Sequence, residues 1–143
     1  MKVNLQKDFD CLGWGYLRLV LHKIGIQVGS AEWIMAYVSN VHYAVVINGY
    51  PSDLFMAGKG LRQGFSLSPL LFILAMDGPS LHIQKVVAKG KFQALHMGRD
   101  IYISHSFFVD DILIMGIIKS FARLHLFNIF AKLGNASGFL MNL

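Results

Sequence analysis

The run Phe107-Phe108-Val109-Asp110-Asp111-Ile112-Leu113-Ile114-Met115 sets two adjacent carboxylates between two apolar, β-prone stretches. The stretches predict strands, and the Asp pair marks the turn between them. A tight turn between strands holds its side chains rigidly, so two acids presented there can grip a hard cation. Asp is also common in solvated hairpin turns, and the pair alone does not separate the two readings. Two-metal phosphoryl transfer needs acids converging on cations about 3.5–4 Å apart. One cation lowers the pKa of the attacking hydroxyl, and both offset charge developing on the phosphate. One strand cannot surround two metals, so a second acid-bearing segment is required. Asp8 and Asp10 form the other acid cluster in the chain.

Other chemistries find less support. The six histidines show no zinc-ligand spacing, and the single cysteine, Cys11, cannot build a thiolate site or an internal disulfide. Gly64-Phe65-Ser66-Leu67-Ser68 approaches a nucleophile elbow, but its last position is not glycine and no triad partner lies nearby.

The elements that would position the acids follow from periodicity. Residues 1–12 open with a short apolar–polar alternation and then turn. Trp14, Leu17, Val20, Leu21 and Ile24 recur at helical spacing, predicting a helix over 14–24 that ends near Gly25. Ser30 is a candidate cap for a second helix over 31–39, with Glu32 in its first turn. Val41, Tyr43, Val45 and Ile47 alternate as a strand that closes on Asn48-Gly49, a strong hairpin signal, with a return strand over 51–57. Gly58-Lys59-Gly60-Leu61-Arg62-Gln63-Gly64 is a glycine-punctuated basic loop. Ser68-Pro69 then starts a deeply apolar helix, cap followed by proline, and Gly78-Pro79 predicts a kink or break within it. Residues 89–99 read as loop, 101–108 and 112–115 as the central hairpin, and 120–133 as a last helix stopped by Gly134.

The 143 residues suit one domain, and 55% are hydrophobic against 15% charged. That balance fits a piece of a larger core or a chain that needs a partner surface. The best membrane candidate, Leu67–Met76, is short and interrupted by Ser68 and Pro69, and the N-terminus lacks a secretory apolar core, so neither membrane insertion nor secretion is expected. The formal charge of +5, with a modest cluster at Lys85, Lys89, Lys91 and Arg99, is compatible with a polyanion such as nucleic acid.

Together these motifs resemble the reverse transcriptases of non-LTR, LINE-type retrotransposons, especially plant ones. The resemblance is carried by Ile47-Asn48-Gly49, Gly60-Leu61-Arg62-Gln63-Gly64, Leu67-Ser68-Pro69-Leu70-Leu71-Phe72-Ile73-Leu74 and Phe108-Val109-Asp110-Asp111, in the family's order. Lys7-Asp8-Phe9-Asp10, followed by Trp14, is similar to the family's first palm motif. The resemblance implies an α+β right-hand polymerase palm, an antiparallel sheet packed on helices, with part of the fingers, over residues 1–143. It implies RNA-directed DNA polymerisation with two magnesium ions, an RNA template, a DNA primer and deoxynucleotides. Asp110 and Asp111 would be catalytic and metal-binding. Phe108 would support the primer end, and Phe9 would be the aromatic gate against a ribose 2′-hydroxyl. Arg62, Gln63 and Gly64 would meet the template strand. Such a protein would be intracellular, and nuclear if it acts on chromosomal DNA.

Departures from the family pattern carry equal weight. Asn4 stands where the family has its first catalytic Asp, offering a neutral carbonyl where a charged bridging ligand is needed. Asp8 replaces a small residue, Phe65 a smaller or polar one, and Gly78-Pro79 interrupts a helix that the family leaves intact. The upstream fingers motifs and the thumb are not matched. The expectation is therefore a partial, degenerate copy with little or no activity. The alternatives are a non-catalytic nucleic-acid-binding remnant and a chain without a stable monomeric fold. The geometric expectation is that Asn4, Asp110 and Asp111 share one cleft beside the Arg62-Gln63 loop.

Overall fold

A computed structural model describes residues 1–6, 8–98, 101–108, 111–117 and 120–142. In chain order the elements are β1 (Lys2–Gln6), α1 (Asp8–Cys11), α2 (Trp14–Lys23), α3 (Val28–Ser39), β2 (His42–Tyr43), β3 (Val46–Ile47), β4 (Tyr50–Pro51), β5 (Phe55–Met56), α4 (Ser68–Ala88), β6 (Gln93–Met97), β7 (Ile101–Ile103), β8 (His105–Phe108), β9 (Asp111–Ile114), β10 (Gly116–Ile117), α5 (Ser120–Ser137) and β11 (Leu140–Asn142).

A four-stranded antiparallel sheet in the order β11-β1-β9-β8 is the centre of the molecule. Its two faces follow from strand alternation. Val3, Leu5, Ile112 and Ile114 are buried and point to one side. Each fully buried aliphatic side chain of this kind contributes roughly 1.5–3 kcal/mol. Lys2, Asn4 and Asp111 point to the other side, which carries the polar groups. Behind the apolar face lie α2, α4 and α5, which contribute Leu17, Leu21, Ala75, Ile83, Leu126 and Phe130 to one continuous core.

The helix α4 runs unbroken for 21 residues through Gly78-Pro79, where a kink or break was expected. Proline removes the N–H that would bond the carbonyl four residues back, here Ala75. The Tyr16 hydroxyl of α2 donates to that Ala75 oxygen at 2.9 Å and replaces the lost bond. Gly78 makes room for it, because a Cβ there would stand 2.8 Å from the Tyr16 oxygen. Burial, and next the charge of Asp77, push the Tyr16 hydroxyl pKa up to about 12. Because the helix is continuous, it is long and apolar enough by length and composition to cross a membrane, which the shorter Leu67–Met76 reading missed. Its inward residues Leu71, Phe72, Ala75, Met76, Ile83 and Val86 are packed in the core.

Other boundaries also move. The second helix starts at Val28 after Gln27, so Ser30 lies inside it and is not its cap. Ser68 does not cap α4; Leu67 precedes the first turn, and the buried Ser68 hydroxyl donates to the Arg62 carbonyl at 2.7 Å. Residues 93–97 form a strand where loop was expected, pairing with both β7 and β10 in a second antiparallel sheet. Ile101–Ile103 therefore belongs to that sheet, and the central hairpin is β8 with β9 alone. The last helix passes Gly134 and ends at Ser137, before Gly138. Gly138 has a φ of +82° and packs so tightly that a Cβ would stand 2.5 Å from the Cys11 carbonyl oxygen. The hairpin about Asn48-Gly49 is present but splits into two short pairs, β3–β4 and β2–β5.

Candidate functional site

The register of the central sheet brings the first strand to the acid pair. Asn4 on β1 lies opposite Asp111 on β9, and Phe108 on β8 lies opposite Asp111 from the other side. Directly opposed residues share a face, so these three side chains stand in a row. The Asn4 amide nitrogen donates to Asp111 Oδ1 at 3.0 Å. Lys2, two positions earlier on the same face, places its ammonium 2.8 Å from Asp111 Oδ2. The hydrogen bond from Lys2, then that from Asn4, hold the Asp111 carboxyl below its ordinary range. Asp110, the residue expected to ligate metal, lies outside the described residues.

The chemistry of these donors decides whether they suit a pair of divalent cations. Among the described residues no three His, Cys, Asp or Glu side chains converge as a metal site would require. Both Asp111 oxygens are engaged, one by an ammonium and one by an amide N–H. Asn4 turns its donor, not its carbonyl, toward the acid. Two divalent cations need several anionic oxygens free to accept them. The described donor set does not fit.

The nucleotide-side residues do come together. Phe9 on α1 stacks on Phe72 of α4 with ring centroids 4.9 Å apart. Phe9, Phe72, Met76, Asp77, Phe107 and Phe108 line one cleft of about 510 Å³. Phe108 is 72% exposed, so it offers its ring at the cleft mouth beside Asp111.

The glycine-basic loop docks on the same segment. The Gly60 N–H donates to the Leu12 carbonyl at 2.8 Å, and the Leu61 N–H to the Phe9 carbonyl at 2.6 Å. Trp14 Nε1 donates to the Gly60 carbonyl at 2.8 Å. A Cβ at residue 60 would stand 2.8 Å from the Asp10 carbonyl oxygen, so the close approach requires glycine. The Gln63 amide nitrogen donates to Asp10 Oδ1 at 3.3 Å. Gly64 and Arg62 are exposed, and Arg62 has no ion pair among the described residues. Two partners escaped the sequence reading. Period-two alternation could have found Lys2, which shares a strand face with Asn4. Nothing local marked Asp10 as the acceptor for Gln63.

An antiparallel sheet packed on helices, with its acid-bearing hairpin beside the first strand and an aromatic cleft next to it, defines a right-hand polymerase palm. The chain belongs to the reverse transcriptase (RNA-dependent DNA polymerase) family, whose model matches residues 1–143. It is 25% identical over 77 residues to the retrovirus-related Pol polyprotein of a type-1 R2 retrotransposable element from Popillia japonica, covering 54% of this chain and 13% of that protein. It is 28% identical over 75 residues to the corresponding type-2 R2 polyprotein of Drosophila melanogaster, covering 52% of this chain and 7% of that one. An uncharacterised mitochondrial protein of Arabidopsis thaliana is 33% identical over 75 residues, covering 52% of this chain and 62% of its own length. These relatives place the chain with the non-LTR retrotransposon reverse transcriptases, and the matched region is a small part of the polyproteins' length. In fold, 96% of the chain matches 28% of apo telomerase from Candida tropicalis, truncated from its C-terminal domain, with a TM-score of 0.66 at 17% identity.

Proposed function

We propose that this chain is the palm, with part of the fingers, of a retrotransposon reverse transcriptase, and that in this copy nucleotidyl transfer is lost or nearly so. Asp110 and Asp111 are its catalytic acids, Phe9 and Phe108 its nucleotide-side aromatics, and Arg62, Gln63 and Gly64 its template contacts. A DNA primer on an RNA template is the substrate, and the nucleus is the place of action. The observation that carries the loss is the Asn4–Asp111–Lys2 cluster. An amide and an ammonium engage the acid where polymerisation needs anionic oxygens turned to cations. An interaction that stabilises developing phosphate charge lowers the barrier by roughly several kcal/mol, and each ~1.4 kcal/mol is tenfold in rate.

Primer extension on an RNA template with magnesium or manganese tests this reading. The expected result is no incorporation above background. Incorporation by the purified protein that Asp110→Ala abolishes would refute the loss of activity.

A second reading, retained nucleic-acid binding without catalysis, is favoured by one further observation. Arg62 stays exposed while its backbone carbonyl accepts from the Ser68 hydroxyl, so the loop presents a cation from an anchored backbone. Primer–template binding that weakens with salt, without incorporation, supports it; binding indifferent to salt contradicts it.

A further inference from the structure

The helix α3 carries a feature that the palm motifs do not explain. Trp33 and Tyr37, one turn apart, lie on one face, and they are 81% and 53% exposed. Two large rings one turn apart present an open aromatic face. Phe65, directly after the template loop, packs on Tyr37 with ring centroids 4.4 Å apart and an interplanar angle of 42°. Trp33, Tyr37, Asn40, Arg62 and Phe65 border one groove of about 480 Å³. Among the described residues no acid lines it. Glu32, next to Trp33 in the chain, is paired with Arg18, and Asp10 accepts from Gln63. Ring faces, an exposed guanidinium and a side-chain amide that can both donate and accept together match a single-stranded nucleotide. A base would stack on the rings, its phosphate would meet Arg62, and its edge would reach Asn40.

We propose that the Trp33–Tyr37–Phe65 groove binds an unpaired RNA base ahead of the copying site, with Arg62 on the adjoining phosphate. The inference rests on the reverse transcriptase reading for its ligand class and adds a stacking site to it. The groove is built rather than incidental. The Ser68 N–H donates to the Phe65 carbonyl at 3.1 Å and the Ser68 hydroxyl to the Arg62 carbonyl, so one buried serine sets both residues of the loop. Phe65 supplies the third ring.

The test uses the full chain and fluorescence anisotropy with single-stranded RNA of about ten nucleotides, intact or with a central abasic run. A primer–template duplex without a single-stranded overhang is the reference ligand. Intact RNA is expected to bind about tenfold more tightly than abasic RNA, since a stacked base contributes roughly 1–3 kcal/mol. Trp33→Ala removes that preference and leaves abasic RNA unaffected, while Arg62→Gln weakens both RNAs alike. Trp33 is so exposed that its replacement leaves the core untouched, and Trp33→Phe, which keeps a ring, retains the preference. Equal binding of intact and abasic RNA, with salt-dependent duplex binding preserved, overturns the groove and leaves the polymerase reading standing. A change in oligomeric state on Trp33→Ala without any change in RNA binding makes this face a contact between copies and also overturns it. Failure to bind either RNA or the duplex overturns both.

Discussion

The polar face of the central sheet and the surface around the loop over residues 58–64 treat charge in opposite ways. On the sheet, the Asp111 carboxylate is satisfied from within the protein by Lys2 and Asn4. At the loop, Arg62 and the rings of Trp33 and Tyr37 are left open to solvent. A catalytic centre that must take up cations cannot keep its acids paired with an ammonium, whereas a nucleic-acid surface must keep its cations and rings available. The proposed loss of catalysis rests on the first of these regions and the proposed nucleic-acid binding on the second. The helix α4 adjoins both the loop and the aromatic cleft: its first residues fix the loop, and its middle lines the cleft.

The largest expected effect concerns the closed region. Asn4→Asp combined with Lys2→Ala restores an acid and removes the resident cation. Affinity for manganese should rise at least tenfold, read by isothermal titration calorimetry. An unchanged affinity would mean that the pairing at Asp111 is not what blocks the cations.

The open region depends on the loop's docking. Gly60→Ala meets the Asp10 carbonyl and forces alanine into a left-handed φ of +92°. It should destabilise the fold by about 1–3 kcal/mol in denaturant titration and weaken RNA binding with it. Wild-type stability in this variant would show that the loop is not held against α1.

The shared helix gives a smaller effect. Tyr16→Phe leaves the Ala75 carbonyl without its donor and should cost about 1–2 kcal/mol. In a Pro79→Ala background residue 79 regains an N–H able to reach Ala75, so the same change should cost much less. Equal costs in the two backgrounds would separate Tyr16 from the proline.

The smallest effects are in pH. His105 bridges the Ser80 and Ser104 hydroxyls, each at 2.8 Å, and burial lowers its pKa below 6.5. The unfolded chain takes up that proton first as pH falls, so stability is full above pH 6.5 and declines below it. His105→Gln should flatten the decline between about pH 7 and 5 in denaturant melts. The Asp111 carboxyl is shifted below its ordinary 3.8, so its contribution is full above that pH and is lost as pH falls through the folded value. Asp111→Asn should leave the profile above about pH 5 unchanged and flatten it only in the more acidic range.

Much of this architecture was legible because it rests on short-range patterns. A short alternation marked the first strand, apolar β-prone runs marked β8 and β9, and the glycine-arginine-glutamine loop with its Leu-Ser-Pro helix gave the family. Asn4 stands beside Asp111, while the expected juxtaposition with Asp110 lies outside the described residues. What stayed hidden depended on tertiary partners. Local rules break a helix at Gly78-Pro79, and only the distant Tyr16 hydroxyl repairs it. Gly134 reads as a stop, but the tight approach of Gly138 to Cys11 sets the end. The hydrogen bond from Gln63 to Asp10 joins residues 53 positions apart, and no local pattern marks it. The exposed rings of α3 carried no sequence signal, since Trp33 and Tyr37 at helical spacing are equally the pattern of a core.

The central claim is that the sheet's acid is disarmed by its own neighbours, and primer extension across four proteins tests it most directly. These are the wild type, Asn4→Asp, Lys2→Ala with Asn4→Asp, and that double variant with Asp110→Ala. The account predicts background incorporation by the wild type, a gain of about a hundredfold or more in the double variant, and its loss when Asp110 is removed. Robust incorporation by the wild type that neither Asn4→Asp nor the double variant improves would contradict it.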